Sequence, residues 1–199
     1  MLIYFLIFLQ FILLLIGIGF VLYIGFIMIS FKNTVPYVPT AKKVIQKMIA
    51  AAHIQEGDKA VDLGSGTGRI IFAVAKKYPI EVIGVEYSCL LYFASKIKSV
   101  LKRKKGKVKI IRADFNHYPL KNVNVVFCFL TLEGLSDIQN KLNLELMPGA
   151  RIISYLFPLK KKDEFQEYKI PMPDGKKVKY IFVYTKLARN AWLISYSIW

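Results

Sequence analysis

The chain has 199 residues, with 29 lysines and arginines against 13 aspartates and glutamates and a formal net charge of +16. This length allows one domain of ordinary size plus an appendage and excludes two separately well-buried domains. Cys89 and Cys128 stand in apolar surroundings without paired spacing, and His53 and His117 lack metal-ligand spacing. Those facts exclude a disulfide framework and a metal site of the usual patterns, and they fit a reducing compartment.

Residues 1–31, "MLIYFLIFLQFILLLIGIGFVLYIGFIMISF", carry no charged side chain before Lys32. A helix needs about 20 apolar residues to cross a bilayer, so this segment is predicted to be a transmembrane anchor. A cleaved signal peptide would need a basic leading region, a shorter apolar run and a small-residue cleavage site. Nothing basic precedes the span, whereas Lys32, Lys42, Lys43 and Lys47 follow it. The positive-inside rule therefore predicts a single-pass membrane protein with the remainder on the cytosolic side. The surplus of positive charge suits contact with anionic lipid headgroups. Nucleic acid is not expected as a partner, because the densest basic run, "KIKSVLKRKKGKVK" from Lys96 to Lys109, lacks interleaved aromatics and matches no nucleic-acid motif.

Residues 32–40 form a proline-containing connector in which Pro36 and Pro39 bias the preceding residues to extended shapes. A domain over 41–187 follows. It opens on a helix, "AKKVIQKMIAAAHI", and then alternates: strand "KAVDLGS", helix "RIIFAVAKKY", strand "EVIGVEY", helix "LLYFASKIKSVLKRK", strand "VKIIRAD". The apolar strand "VNVVFCFL", a helix around "LSDIQNKLNLELM" and the strand "ARIISYLF" complete the rhythm. Apolar strands separated by helices predict an α/β fold, a Rossmann-like doubly wound and mostly parallel sheet. Beyond Phe157, "FQEYKI", a turn at "PMPDGK" with Asp174 and Gly175 at the bend, and "KVKYIFVYTK" predict an antiparallel edge hairpin. Residues 188–199 read either as one more strand or as an aromatic segment at a membrane interface.

The stretch "AVDLGSGTGRI", Ala60 to Ile70, places three glycines at a strand-to-helix turn. Bare backbone there lets a ligand approach and aims helix N–H groups at it. A phosphate loop needs Gly-Lys-Ser/Thr, but Gly68 is followed by Arg69 and Ile70; a dinucleotide fingerprint needs Gly or Ala where Arg69 stands. What remains is Asp62 with Gly64, Gly66 and Gly68, then Glu86 at the end of the second strand, where a doubly wound fold brings a carboxylate to a ribose. Asp114 closes the third strand in the same way, at the border of the same crevice.

This constellation resembles the class I S-adenosylmethionine-dependent methyltransferases over about Val61 to Phe157. The resemblance implies S-adenosylmethionine as cofactor, held by Asp62, Gly64, Ser65, Gly66, Gly68, Glu86, Tyr87, Asp114 and Phe115. Glu86 would hold the ribose hydroxyls and Asp114 would reach the adenine amine. A narrower likeness lies in the amino-terminal apolar segment, "VPYVPT" ahead of the domain and "NKLNLELMPGARIISYLFPL" after the fourth strand. Together they resemble the membrane-anchored protein lysine methyltransferases that act on the c-type component of ATP synthase or on the adenine nucleotide translocase. That likeness implies a lysine of a small membrane protein as substrate and places Tyr37, Pro39 and Thr40 over the cofactor site. The chain departs from that family's pattern in having Leu156 before its Phe-Pro pair, where an arginine is common.

A lysine substrate must attack as the neutral amine, which an apolar pocket favours. Phe129, Leu130, Thr131 and Leu132 are placed to wall such a pocket, and Glu133 is the candidate to accept a proton, although acids are also favoured in a first helical turn. No catalytic base is assigned. Two other readings stay open: methylation of a lipid or quinone headgroup, and a tethered cofactor-binding module without catalysis.

Overall fold

A computed structural model describes residues 1–31, 39–101, 105–174 and 177–188, with the side chains of the first helix given through residue 25. Helix α1 spans Leu2–Phe31. Its stretch Leu2–Gly25 has a mean hydropathy of 2.9 and is long and apolar enough to cross a membrane. Thirty residues give a rod of about 45 Å, against a hydrocarbon core of about 30 Å.

The α/β domain is a second compact unit. It opens on α2 (Lys42–Ala51), followed by β1 (Lys59–Leu63), α3 (Arg69–Lys77), β2 (Glu81–Glu86), α4 (Cys89–Leu101) and β3 (Lys107–Arg112). Then come β4 (Val125–Cys128), α5 (Leu132–Glu145), β5 (Arg151–Tyr155), β6 (Phe165–Asp174) and β7 (Lys177–Lys186). One sheet contains these strands in the order β3-β2-β1-β4-β5-β7-β6. The first five are mutually parallel, and β7 runs antiparallel to both β5 and β6.

Strands buried on both faces read as unbroken apolar runs, and β4, "VVFC", is buried at every residue. Helices α2 and α3 cover part of the sheet with Val44, Ile45, Met48, Ile49, Ile70, Ile71 and Phe72, all in the main core. The chain winds outward from β1 to β3, then crosses back to β4. That reversal leaves a crevice outside the carboxyl ends of β1 and β4, the usual ligand position in open α/β sheets.

At the opposite end of the sheet, Arg151 ties three segments together. Its Nη2 donates to Asp58 Oδ2 at 2.6 Å, and its Nη1 donates to the carbonyls of Ala52 and His53. A cleft of about 350 Å³ lies beside it, lined by His53, Asp58, Asn124, Pro148 and Arg151. These residues precede the strands or open them, so the cleft is remote from the glycine turn.

The antiparallel hairpin lies at the edge of the sheet, as its sequence reading has it. The edge strand is β6, which runs in the same direction as β1 to β5, while the antiparallel strand β7 is inserted beside β5. One difference is length: Pro171 to Pro173, read as part of the turn, continue β6, with Pro171 paired to Tyr180 and Pro173 to Val178, and β6 ends at Asp174, where the bend is expected. An edge strand accepts proline because an N–H facing outward has no ladder partner to lose. Tyr37 and residues 189–199 lie outside the described residues, so the expectations for them are not addressed by the structure.

Candidate functional site

The turn after β1 is built from backbone. Gly64, Gly66 and Gly68 have φ of +75°, +56° and +77°, values that favour glycine. The N–H groups of Gly64 and Ser65 both donate to the Val85 carbonyl, at 2.9 and 3.0 Å, which latches the turn to β2. A Cβ on Gly68 would stand 2.6 Å from Cε2 of Phe72, so this corner has no room for one.

Glu86 ends β2 facing that turn. Its Oε2 accepts the Gly66 N–H at 2.7 Å and its Oε1 accepts the Ser88 N–H at 2.8 Å. With about four lone-pair sites, the carboxylate still has acceptor capacity to offer. Burial raises the Glu86 pKa against the lowering effect of the N–H groups of Ser88, Gly66 and Tyr87. Asp62, on β1, is buried, and its pKa is pushed up to about 8 by burial and then by the Glu86 charge. Two carboxyls in one dry corner favour a shared proton over two charges.

Ser65 is also buried, and its hydroxyl has no hydrogen-bond partner in the protein. It rests against Gly84 of β2, where a Cβ would stand only 2.7 Å from Ser65 Oγ. Bare glycine backbone, an orphaned hydroxyl and a carboxylate with spare acceptor capacity form the donor and acceptor set that a nucleoside with vicinal hydroxyls requires.

The remaining sequence candidates fall as follows. Asp114 lies two residues beyond β3, so it does not close that strand. It sits beside Glu86 in the chain path, because Ala113 N–H donates to the Glu86 carbonyl at 3.2 Å. Its Oδ1 accepts the Asn116 N–H at 2.8 Å, and Oδ2 is 3.7 Å from His117 Nδ1. Tyr87 is exposed and Phe115 half-buried. Past β4, the Phe129 ring packs on Tyr155 at 5.1 Å, and Leu130 Cδ2 would stand 3.2 Å from a Cβ on Gly64. Thr131 caps α5, its Oγ1 accepting the Gly134 N–H at 3.2 Å. Thr131→Ala is therefore expected to lower stability by about 1 kcal/mol, read as a shifted urea midpoint with unchanged cofactor affinity. Glu133 is exposed in the first turn of α5, where a carboxylate favours the helix end. Thr40 is buried just ahead of α2.

Ser88 and Gly84 also belong to the site, although no motif marks them. A glycine within the apolar run "EVIGVEY" is the available signal, since such a residue marks close approach of another group. Cys128 is buried, and burial raises its thiol to about 12, which leaves it without nucleophilic character at neutral pH.

The family model described as the ANTKMT methyltransferase domain matches residues 62–165, from the buried Asp62 to the start of β6. The chain belongs to that methyltransferase family. The family match agrees with a protein-lysine N-methyltransferase of Saccharolobus islandicus, 31% identical over 137 residues that cover 66% of this chain and 82% of that one. The adenine nucleotide translocase lysine N-methyltransferase of Mus musculus is 30% identical, covering 68% of this chain and 58% of that protein. A second lysine N-methyltransferase of Mus musculus, named for the c-type component of ATP synthase, is 29% identical over 64% of this chain. The chain spans about half of that protein's length, 51%. Among solved structures, an RNA methyltransferase of Salinibacter ruber bound to S-adenosyl-L-homocysteine superposes with a TM-score of 0.67. At 22% identity, over 76% of this chain and 95% of that one, this likeness shows the fold. S-adenosylmethionine is the cofactor of the family, and the donor and acceptor set of the turn fits it.

Proposed function

We propose that the protein transfers a methyl group from S-adenosylmethionine to a lysine side chain of a membrane or membrane-proximal protein, while α1 anchors it in the bilayer. The observation that carries this reading is the glycine turn clamped to Glu86. It supplies the bare backbone and the paired acceptor oxygens, and it belongs to a chain whose relatives bear the name lysine methyltransferase. In this reading Glu86 accepts from the ribose hydroxyls. Gly64, Ser65, Gly66 and Gly68 back the methionine and ribose, and Asp62 sits behind them. Asp114, with Tyr87 and Phe115 beside it, borders the adenine.

The cofactor supplies a methyl on a sulfonium, ready for in-line displacement. What the chain contributes is alignment, which can supply on the order of 7–11 kcal/mol. Phe129, Leu130 and Tyr155 form an apolar wall after β4 and β5, and desolvation against such a wall lowers the pKa of an incoming lysine toward the attacking amine. The lysines that follow α1 support a cytosolic position for the domain.

The test is transfer of label. Membranes incubated with this enzyme and methyl-labelled S-adenosylmethionine are expected to carry the label on lysine in the protein fraction. Label confined to the lipid fraction, or no transfer by a protein that binds the cofactor, overturns the reading.

A further inference from the structure

Helix α4 leaves its apolar side uncovered. By contrast, α3 buries Ile70, Ile71, Phe72, Val74 and Ala75, and α5 buries Leu135, Ile138 and Leu142. In α4 the fully buried residue is Ser95. Leu90, Phe93, Ile97, Val100 and Leu101 are 48, 56, 64, 86 and 78% exposed. Their spacing puts them on one stripe about 100° wide. Single exposed apolar side chains are ordinary, but a contiguous stripe of five marks a surface that something covers.

Charge identifies what covers it. On the helical wheel Lys96 and Lys98 fall on opposite sides of the stripe, flanking it. Between Glu86 and Asp114 the chain has nine lysines and arginines and no acid. Exposed Lys107 continues the basic surface on β3, which pairs with β2 at the outer edge of the sheet, while Lys109 is ion-paired with Glu81 of β2. An apolar stripe bracketed by lysines, on a helix that itself carries no acid, matches an interfacial helix. Each such lysine near anionic headgroups adds to the attraction.

We propose that α4 lies in the plane of an anionic bilayer surface, with Leu90, Phe93, Ile97, Val100 and Leu101 at the boundary of headgroups and acyl chains and with Lys96 and Lys98 on lipid phosphates. This rests on the membrane-anchored reading, because a tethered domain meets the bilayer at high effective concentration and weak contacts then suffice. The contact carries a functional consequence. Glu86 stands three residues ahead of α4, so a docked α4 holds this wall of the cofactor crevice close to the membrane, where a lysine of an embedded protein emerges.

The full chain in nanodiscs tests it. Phosphatidylcholine discs with and without about 30% phosphatidylserine, each carrying an acyl-chain diazirine lipid, are irradiated, and labelled peptides are mapped by mass spectrometry. The expected result is label on residues 89–101 at least about threefold higher in the anionic discs, with label on α1 in both. The double variant Phe93→Glu, Ile97→Glu is expected to lose the α4 label and keep its affinity for S-adenosylhomocysteine. Label on α1 with none on α4 overturns this proposal alone, and a protein surface or a second copy of the chain then covers the stripe. Equal α4 label in the two discs overturns the anionic-surface assignment. Label on α4 with none on α1 supports this docking and overturns the anchor, and label on neither overturns both.

Discussion

Glu86→Gln is expected to weaken S-adenosylhomocysteine binding about 100-fold, measured as Kd by isothermal titration, because two charge-assisted bonds to hydroxyls contribute about 1.5–3 kcal/mol each and the amide cannot replace both. The reason lies in what already holds the side chain. Backbone N–H groups of Gly66 and Ser88 occupy one lone pair on each carboxylate oxygen. A glutamine has one carbonyl oxygen, so its NH2 group would face one of those N–H donors, and the clamp that aims the side chain would open on that side. Glu86→Asp serves as the control: it keeps the charge, shortens the reach and is expected to fall between the two. An affinity for Glu86→Gln within about threefold of the parent would mean that the carboxylate is a turn-holding device and does not grip the nucleoside.

The second large effect is on pH. Asp62 keeps its proton in the folded chain to about pH 8, held there by burial and by the neighbouring Glu86, whereas in the unfolded chain it loses it near the ordinary value of about 4. Between those values the folded state binds the extra proton, so stability is greatest at the acidic end and declines as pH rises toward 8. Glu86, also raised, acts in the same direction. The cofactor-free protein is expected to lose on the order of 2–4 kcal/mol between about pH 5 and pH 8, followed by its urea midpoint. Asp62→Asn, which carries no proton to lose, is expected to flatten most of that slope and to be the more stable form at about pH 8. A parent slope of the opposite sign, or a variant with an unchanged slope, would place the titrating group elsewhere.

Much of this arrangement is legible in residue order because each signal has a local cause. Strands β1, β2, β4 and β5 of the parallel half are almost wholly buried, and the glycine spacing at 64, 66 and 68 answers a backbone need, met by φ values of +56° to +77°. The distance from that turn to Glu86 is the length of one helix and one strand. Where the outcome depends on a partner far along the chain, order is silent. Pro171 and Pro173 look like turn residues until the sheet makes β6 an edge. Nothing near Arg151 in the chain marks its guanidinium for Asp58, 93 positions earlier. Thr131 is a pocket candidate by position, yet its hydroxyl is committed to the cap of α5. Periodicity marks which side of α4 is apolar, but it carries no information on whether that side faces the sheet or the outside.

The two prolines of β6 have a consequence for crowding. An open sheet margin invites a neighbouring molecule to add its own strand, and chains confined to a surface collide more often than chains free in three dimensions. Pro171 and Pro173 sit two apart on the outermost strand, and each deletes a donor that an incoming strand would need. Copies gathered at high density can therefore slide past one another without zippering along that flank.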